Sequence, residues 1–193
     1  GGRVRDLCGE SADGADACGS LSQNRGGPGH SLPAVQHRLG ALRGRPGAHH
    51  GSSGLPDQLV IWCDLNAEQR ALERALGAEE ISVSSLDGSQ DITERENIIT
   101  RWLQRETTVF LSKPVMYGAG VNLQQSHTMI FTGIGYKAQD FLQAIHRIHR
   151  FLQDHPCTVD IIYAESEREI RRTLEAKWQR HKELTASMTE IIR

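Results

Sequence analysis

Cysteine is scarce in this chain of 193 residues, and the four present, at positions 8, 18, 63 and 157, share no short paired spacing. That excludes a disulfide framework and a cysteine-based zinc site, both of which are built on recurring close pairs. A reducing, cytoplasmic setting is the expectation, with no metal held by the chain itself. Long hydrophobic runs are missing too: none approaches the ~20 residues that span a bilayer, and Gly1 to Arg5 lead into no apolar signal core. No membrane is therefore expected as a partner. Charge of one sign is also lacking, since 22 Lys and Arg against 24 Asp and Glu give a formal net charge of −2. A uniformly basic coat for nucleic acid is ruled out, while a local strip of Lys113, Lys137 and Arg147 is not.

Two absences divide the chain. The first 54 residues contain no Phe, Trp, Tyr or Ile but hold thirteen of the nineteen glycines. Such a segment cannot bury enough apolar surface to offset its ordering entropy, so residues 1–54 are expected to be mostly disordered, or translated from a wrong reading frame. His49 and His50 have no companions that would make them a metal site or a tag. At the other end, residues 165–193 contain neither Gly nor Pro, and Ile170, Leu174, Trp178, His181, Leu184, Met188 and Ile191 recur every three or four positions. That spacing predicts one long amphipathic helix, packed on its own lobe or on a partner lobe, with a coiled-coil dimer as the alternative.

Between them, residues 55–164 alternate strand and helix patterns. Leu59 to Cys63 is a short apolar strand, and Asn66 with Gln69 reads as a capping box opening a helix that ends at Gly77. Ile81 to Leu86 follows as a strand, then Asp87-Gly88 turns the chain. Asp91 with Glu94 is a second capping box, for a helix expected to turn Ile92, Ile99, Trp102 and Leu103 toward the sheet. Strands at 108–112 and 128–132, a helix over 138–152 and a strand at 158–163 complete the pattern. The fold class is α/β, with a mostly parallel sheet between helices and ligands outside the carboxyl ends of its strands.

Two stretches carry chemistry. In VFLSKPVMYGAGVNLQ (109–124) an apolar strand runs into a loop where Gly118 and Gly120 free the backbone for positive φ or close approach to a ligand, although such glycines are more often simple turn chemistry. In FLQAIHRIHRFLQ (141–153), Gln143, Arg147 and Arg150 recur at spacings of four and three on one helical face. Planar guanidinium groups that never lose their charge match phosphate oxygens, and two on one face suit a polyphosphate. The plainer reading is a solvated basic face over a buried stripe of Phe141, Ile145, Ile148 and Leu152.

Taken in order, LVIWCDLN (59–66), LDGSQDITERE (86–96), SKPVMYGAGVNLQ (112–124) and QAIHRIHRFLQ (143–153) resemble the C-terminal RecA-like lobe of superfamily-two helicases and translocases. The likeness covers about residues 57–165 and is greatest to the Swi/Snf-like branch with its bacterial and phage relatives. The chain departs from that branch where Gly135-Tyr136-Lys137 replaces the usual Trp-Asn-Pro. No acidic residue stands two places before Arg147. The resemblance implies that Arg147 and Arg150 are arginine fingers reaching the γ-phosphate of ATP, with Gln143 sensing or orienting the attacking water. It implies that Gly118, Gly120 and Asn122 form a coupling loop beside the nucleotide, and that Ser112, Lys113, Gly88 and Ser89 contact a nucleic-acid backbone, DNA or alternatively RNA.

No Gly-x-x-x-x-Gly-Lys-Ser/Thr phosphate loop and no Asp-Glu-x-His run occurs in the chain. ATP and Mg²⁺ are thus expected to be bound mainly by a first, N-terminal lobe, which this chain would complete. The alternative is a stand-alone RecA-like module that binds nucleic acid without hydrolysing ATP. His146 and His149 are expected to pack or face solvent, because phosphoryl transfer needs positioning more than proton transfer.

Overall fold

The computed structural model describes residues 20–25, 35, 58–119, 121–133, 137–149, 153, 155–163 and 167–192. Apolar runs make the middle of the sheet. Strands β2 (Leu59–Trp62), β4 (Val109–Ser112) and β5 (Thr128–Phe131) are buried at every position, as expected of central parallel strands covered on both faces. They are flanked by β3 (Val83–Leu86), β6 (Thr158–Tyr163) and β1 (Ser20–Arg25) in the order β1-β6-β5-β2-β4-β3, with every pairing parallel.

Alternation sorts the side chains to two faces. Leu59, Ile61, Val109, Leu111 and Ile130 pack with Leu72 and Leu76 of helix α1 (Asn66–Ala78). Val60, Trp62, Phe110, Met129 and Phe131 pack with Trp102 of α2 (Ile92–Leu103), Phe141, Ala144 and Ile145 of α3 (Ala138–Ile145), and Leu174 of α4 (Arg168–Ile192). The result is a three-layer RecA-like α/β sandwich. Trp102 and Phe110 meet edge-on with centroids 5.4 Å apart in the second core. Helix α4 lays Leu174 in this core with Ile170 and Trp178 beside it, then leaves Leu184 exposed.

Register levels the strand ends. Leu86, Ser112, Trp62 and Phe131 are neighbours across four adjacent strands, so the residues that follow them emerge side by side at one edge of the sheet.

Several expectations change. Part of the glycine-rich segment joins the fold: β1 pairs along the whole of β6, and Val35 is fully buried in the α1-side core. Edge pairing is made by main-chain groups and needs no aromatic side chain, so composition does not reveal it. The rest of residues 1–54 lies outside the described residues. The capping box at α1 is absent, since Leu65 is the N-cap without a side-chain bond. Gln69 instead points inward, donating to Ser85 Oγ at 2.9 Å and the Leu86 carbonyl at 3.2 Å. Asp91 does cap α2, accepting from the Glu94 amide at 2.8 Å. Ile92 and Leu103, however, are exposed at the two ends of that helix, and Trp102 with Ile98 and Ile99 supplies its inner face. Helix α3 stops at Ile145 rather than running to 152.

Candidate functional site

A cavity of about 470 Å³ opens where β2, β4 and β5 end, lined among others by Asp64, Lys113, Val115, Lys137, Asp140 and Phe141. Each lining group has its place from an element: Asp64 and Lys113 follow the level strand ends, while Asp140 and Phe141 lie in the first turn of α3. Two ammonium groups and two carboxylates share the rim, so the cavity is a mixed-charge site in which the lysines offer contacts to an anion.

Beside it stands Glu68, one helical turn beyond Asp64. Burial raises its carboxyl above the usual range, and the charges of Asp64 and Glu167 push the same way, partly offset by hydrogen bonds from Thr132 and the Asp64 amide. Gly133 lies close to both: a Cβ there would make ordinary van der Waals contact, 3.4 Å from Glu68 Oε2 and 3.6 Å from the Asp64 Cβ. Asp64, Glu68 and Asp140 were not singled out from sequence. The only signal was position, Asp64 within the β2 motif and Glu68 four residues on. Cys63, fully buried at the end of β2, has its thiol pushed up to about 12 by burial first and Glu68 second, which makes it an inert packing group.

The proposed backbone contacts fall into different settings. Lys113 is half-buried on the cavity wall. Ser112 is fully buried and its hydroxyl donates to the Leu86 carbonyl at 2.8 Å, so it ties β4 to β3 and cannot reach a phosphate. Gly88 and Ser89 are exposed beyond the edge strand β3, but the Ser89 amide and hydroxyl both donate to Asp87 Oδ1, at 2.7 and 2.6 Å. Those bonds, hydroxyl first, lower the Asp87 pKa and fix an ionised carboxylate in the turn. A phosphate at the serine would meet that charge, whereas Gly88 has open space where a Cβ would stand.

The glycine loop and the arginine segment do come together. Residues Pro114–Ala119, including Gly118, form a 3₁₀ turn that packs against α3. Gly120 lies outside the described residues, as does Arg150. Asn122 is exposed and its Oδ1 accepts from the Gln124 amide at 3.1 Å, a local turn that shapes the loop's exit. Beyond Ile145 the chain tightens, with the Arg147 amide donating to the Ala144 carbonyl and the Ile148 amide to Ile145. Arg147 is therefore on a turn rather than on a continued α-helical face with Gln143. Its carbonyl accepts from the Leu123 amide at 3.3 Å, and its half-buried guanidinium donates through Nη1 to the Val121 carbonyl at 3.4 Å. Arg147, Ser112, Met116 and Val121 line a crevice of only about 10 Å³, room for about one water. Gln143 is half-buried on α3. His146, the C-cap of α3, is half-buried, and burial first, then His181 and His149, lowers its pKa.

The family model described as the helicase conserved C-terminal domain matches residues 52–152, more than half of the chain. The chain belongs to the helicase C-terminal domain family. Among curated proteins, the ATP-dependent helicase fft2 of Schizosaccharomyces pombe is 37% identical over 89 residues, covering 46% of this chain and 7% of that protein. The chromatin-remodeling ATPase INO80 of the same organism is 32% identical over 103 residues, covering 53% of this chain and 6% of the relative. The chain thus spans less than a tenth of the length of these relatives, and its sequence kinship is to Swi/Snf-like ATPases of superfamily two. The fold is shared with the C-terminal part of the Fun30 ATPase domain, at a TM-score of 0.64 and 18% identity over 75% of this chain and 44% of that one. It is shared also with the C-terminal domain of the DEAD-box protein Dbp5, at 0.66 and 13%, over 84% and 86%. In this helicase C-terminal lobe the two stretches singled out for chemistry meet where Arg147 bonds the loop at Val121 and Leu123.

Proposed function

We propose that this helicase C-terminal lobe works as the second half of an ATP-dependent DNA helicase or translocase, supplying an arginine finger and nucleic-acid backbone contacts to a first lobe. The observation that carries the reading is the tie between Arg147 and the loop Val121–Leu123, inside a segment that matches the helicase C-terminal domain. A guanidinium presents donors only, and here it rests on a neutral carbonyl at the exit of the glycine loop. Polyphosphate oxygens are stronger acceptors for that group, and a finger of this type is worth ~10³ to 10⁵ in rate where it acts. ATP supplies the free energy. Arg147 and Arg150 orient and neutralise its terminal phosphate, Gln143 positions the water, and Gly118, Gly120 and Asn122 pass the change to the strand-end cavity. Mg²⁺ falls to acidic residues of the first lobe. Lys113, together with Lys137 from the same cavity lining, holds the nucleic-acid backbone without reading sequence.

The test joins this chain to a competent first lobe and compares DNA-stimulated ATP hydrolysis with that of Arg147→Lys. Charge is kept but the multi-donor plane is lost, so turnover should fall by at least about a hundredfold while DNA binding without nucleotide stays unchanged. Unaltered turnover would return Arg147 to a purely structural role, holding the loop. The second reading, a nucleic-acid-binding module without ATPase activity, draws on the two lysines of the cavity. It would be favoured if the lobe bound DNA yet never stimulated hydrolysis by any first lobe.

A further inference from the structure

Away from the strand ends, two histidines from different elements face each other. His146 caps the end of α3, His181 lies midway along α4, and their Nε2 atoms are 3.2 Å apart. The ring centroids are 5.2 Å apart and the planes inclined by 66°. Trp178, one turn before His181, packs at 6.0 Å from the His146 ring and 6.1 Å from that of His181, closing one side of the pair. His149 is the next imidazole, 6.5 Å from His146.

We propose that His146 and His181 form a two-histidine site for a divalent transition metal such as Zn²⁺, Ni²⁺ or Cu²⁺. The geometry suits it. Metal–nitrogen bonds of about 2.0–2.1 Å place two imidazole nitrogens about 3.4 Å apart at a tetrahedral angle and about 2.9 Å apart at a square-planar one, and 3.2 Å lies between. As the pair stands, one Nε2 donates to the other. A tautomer shift that moves this proton to Nδ1 of the same ring presents two Nε2 lone pairs to one ion, with no net proton gained or lost. Among the described residues no group of three or more His, Cys, Asp or Glu is arranged to hold a metal. The site therefore offers two protein ligands and completes its shell with water, which makes it an exchangeable site of modest affinity. Because Arg147 follows His146 directly, an ion here would pin α4 to the turn that carries that arginine. The site itself stands independently of the function proposed above.

The experiment titrates Ni²⁺ into the full chain by calorimetry and records the electron paramagnetic resonance of one equivalent of Cu²⁺. One equivalent of Ni²⁺ should bind, and His146→Ala and His181→Ala should each weaken it at least about tenfold. His127→Ala, which alters a separate, tilted imidazole pair, His127 with His155 at 5.1 Å, should leave binding unchanged. The copper spectrum of the unaltered chain should show two imidazole nitrogens and lose one in either variant. Should a variant fail to fold, the unaltered chain still decides, since coupling to fewer than two nitrogens overturns the proposal. Retained affinity in a folded His146→Ala or His181→Ala chain overturns it as well, as does loss of the site in His127→Ala.

Discussion

Ser112 and Lys113 are adjacent in sequence and were expected to act alike, yet the sheet turns them to opposite tasks, which makes the pair a sharp test. Lys113 is half-buried on the cavity wall, and replacing it with alanine removes one cation from the proposed phosphate track. Each phosphate contact contributes about 0.7 to the log–log salt slope for single strands and about 0.9 for duplex. Lys113→Ala should flatten the slope by that amount, so that between about 50 and 200 mM salt the variant loses roughly threefold less affinity than the parent. Ser112→Ala should leave slope and affinity untouched. Its hydroxyl gives one neutral hydrogen bond to the Leu86 carbonyl, which keeps a second donor in Gln69 Nε2 at 3.2 Å, so no acceptor is orphaned. The cost is then about 1 kcal/mol of stability, read as a Tm lowered by about 2–4 °C. Fluorescence anisotropy with labelled DNA at several salt concentrations, beside thermal melts, measures both. A flattened slope in Ser112→Ala, or an unchanged slope in Lys113→Ala, would refute the assignment of the two residues.

Three further outcomes follow from the packing. Asp91→Ala, which removes the bond to the Glu94 amide, should cost about 1 kcal/mol in urea unfolding, whereas Asn66→Ala at a helix start without a side-chain cap should cost less than about half of that. Glu68→Gln should stabilise the lobe at pH 7 and have little effect below about pH 4. The raised carboxyl pKa means that the folded state holds the proton more tightly, so stability is lost as pH rises from the unfolded value of about 4.3 through the folded one, and thermal melts against pH would expose the opposite sign. Trp102→Ala should cost about 3–5 kcal/mol by denaturant unfolding, because the side chain is fully buried against Phe110, and a loss under about 1 kcal/mol would place it outside the core.

The strands were legible because unbroken apolar runs such as Leu59–Trp62 have few other uses in a chain of this kind, and α2 was legible at its start because Asp91 is both a turn residue and a cap. Gln69 misled because a polar residue three positions into a helix pattern satisfies the capping rule equally well when its amide is buried against Ser85 and Leu86. Nothing local distinguishes the two, since the deciding partners are sixteen and seventeen residues away. Ile92 misled for the opposite reason: an apolar residue in a helix's first turn can precede the point where the helix meets the sheet. The cavity was only half readable. Lys113 and Lys137 were visible as a strip, but the acidic groups Asp64 and Asp140 join them through the level ends of β2 and β4 and the position of α3, which depend on strand order.

In the arginine segment, spacing suggests one geometry and tertiary contacts impose another. Spacing placed Gln143, Arg147 and Arg150 on one continuous helical face, but a helix persists only while each amide finds the carbonyl four residues back. After Ile145 the Arg147 and Ile148 amides turn to carbonyls three residues back, and the Arg147 carbonyl is engaged by Leu123 from the loop. That cross-bond fixes Arg147 by tertiary contact, independently of helical periodicity, with its guanidinium on Val121. Under the proposed function the Arg147 guanidinium exchanges the Val121 carbonyl, 3.4 Å away, for a phosphate oxygen, whose negative charge makes it the stronger acceptor. The backbone bond to Leu123 can persist through such an exchange. Movement of the arginine toward an anion would then register in the loop that begins at β4, the same strand whose end carries Lys113 into the cavity.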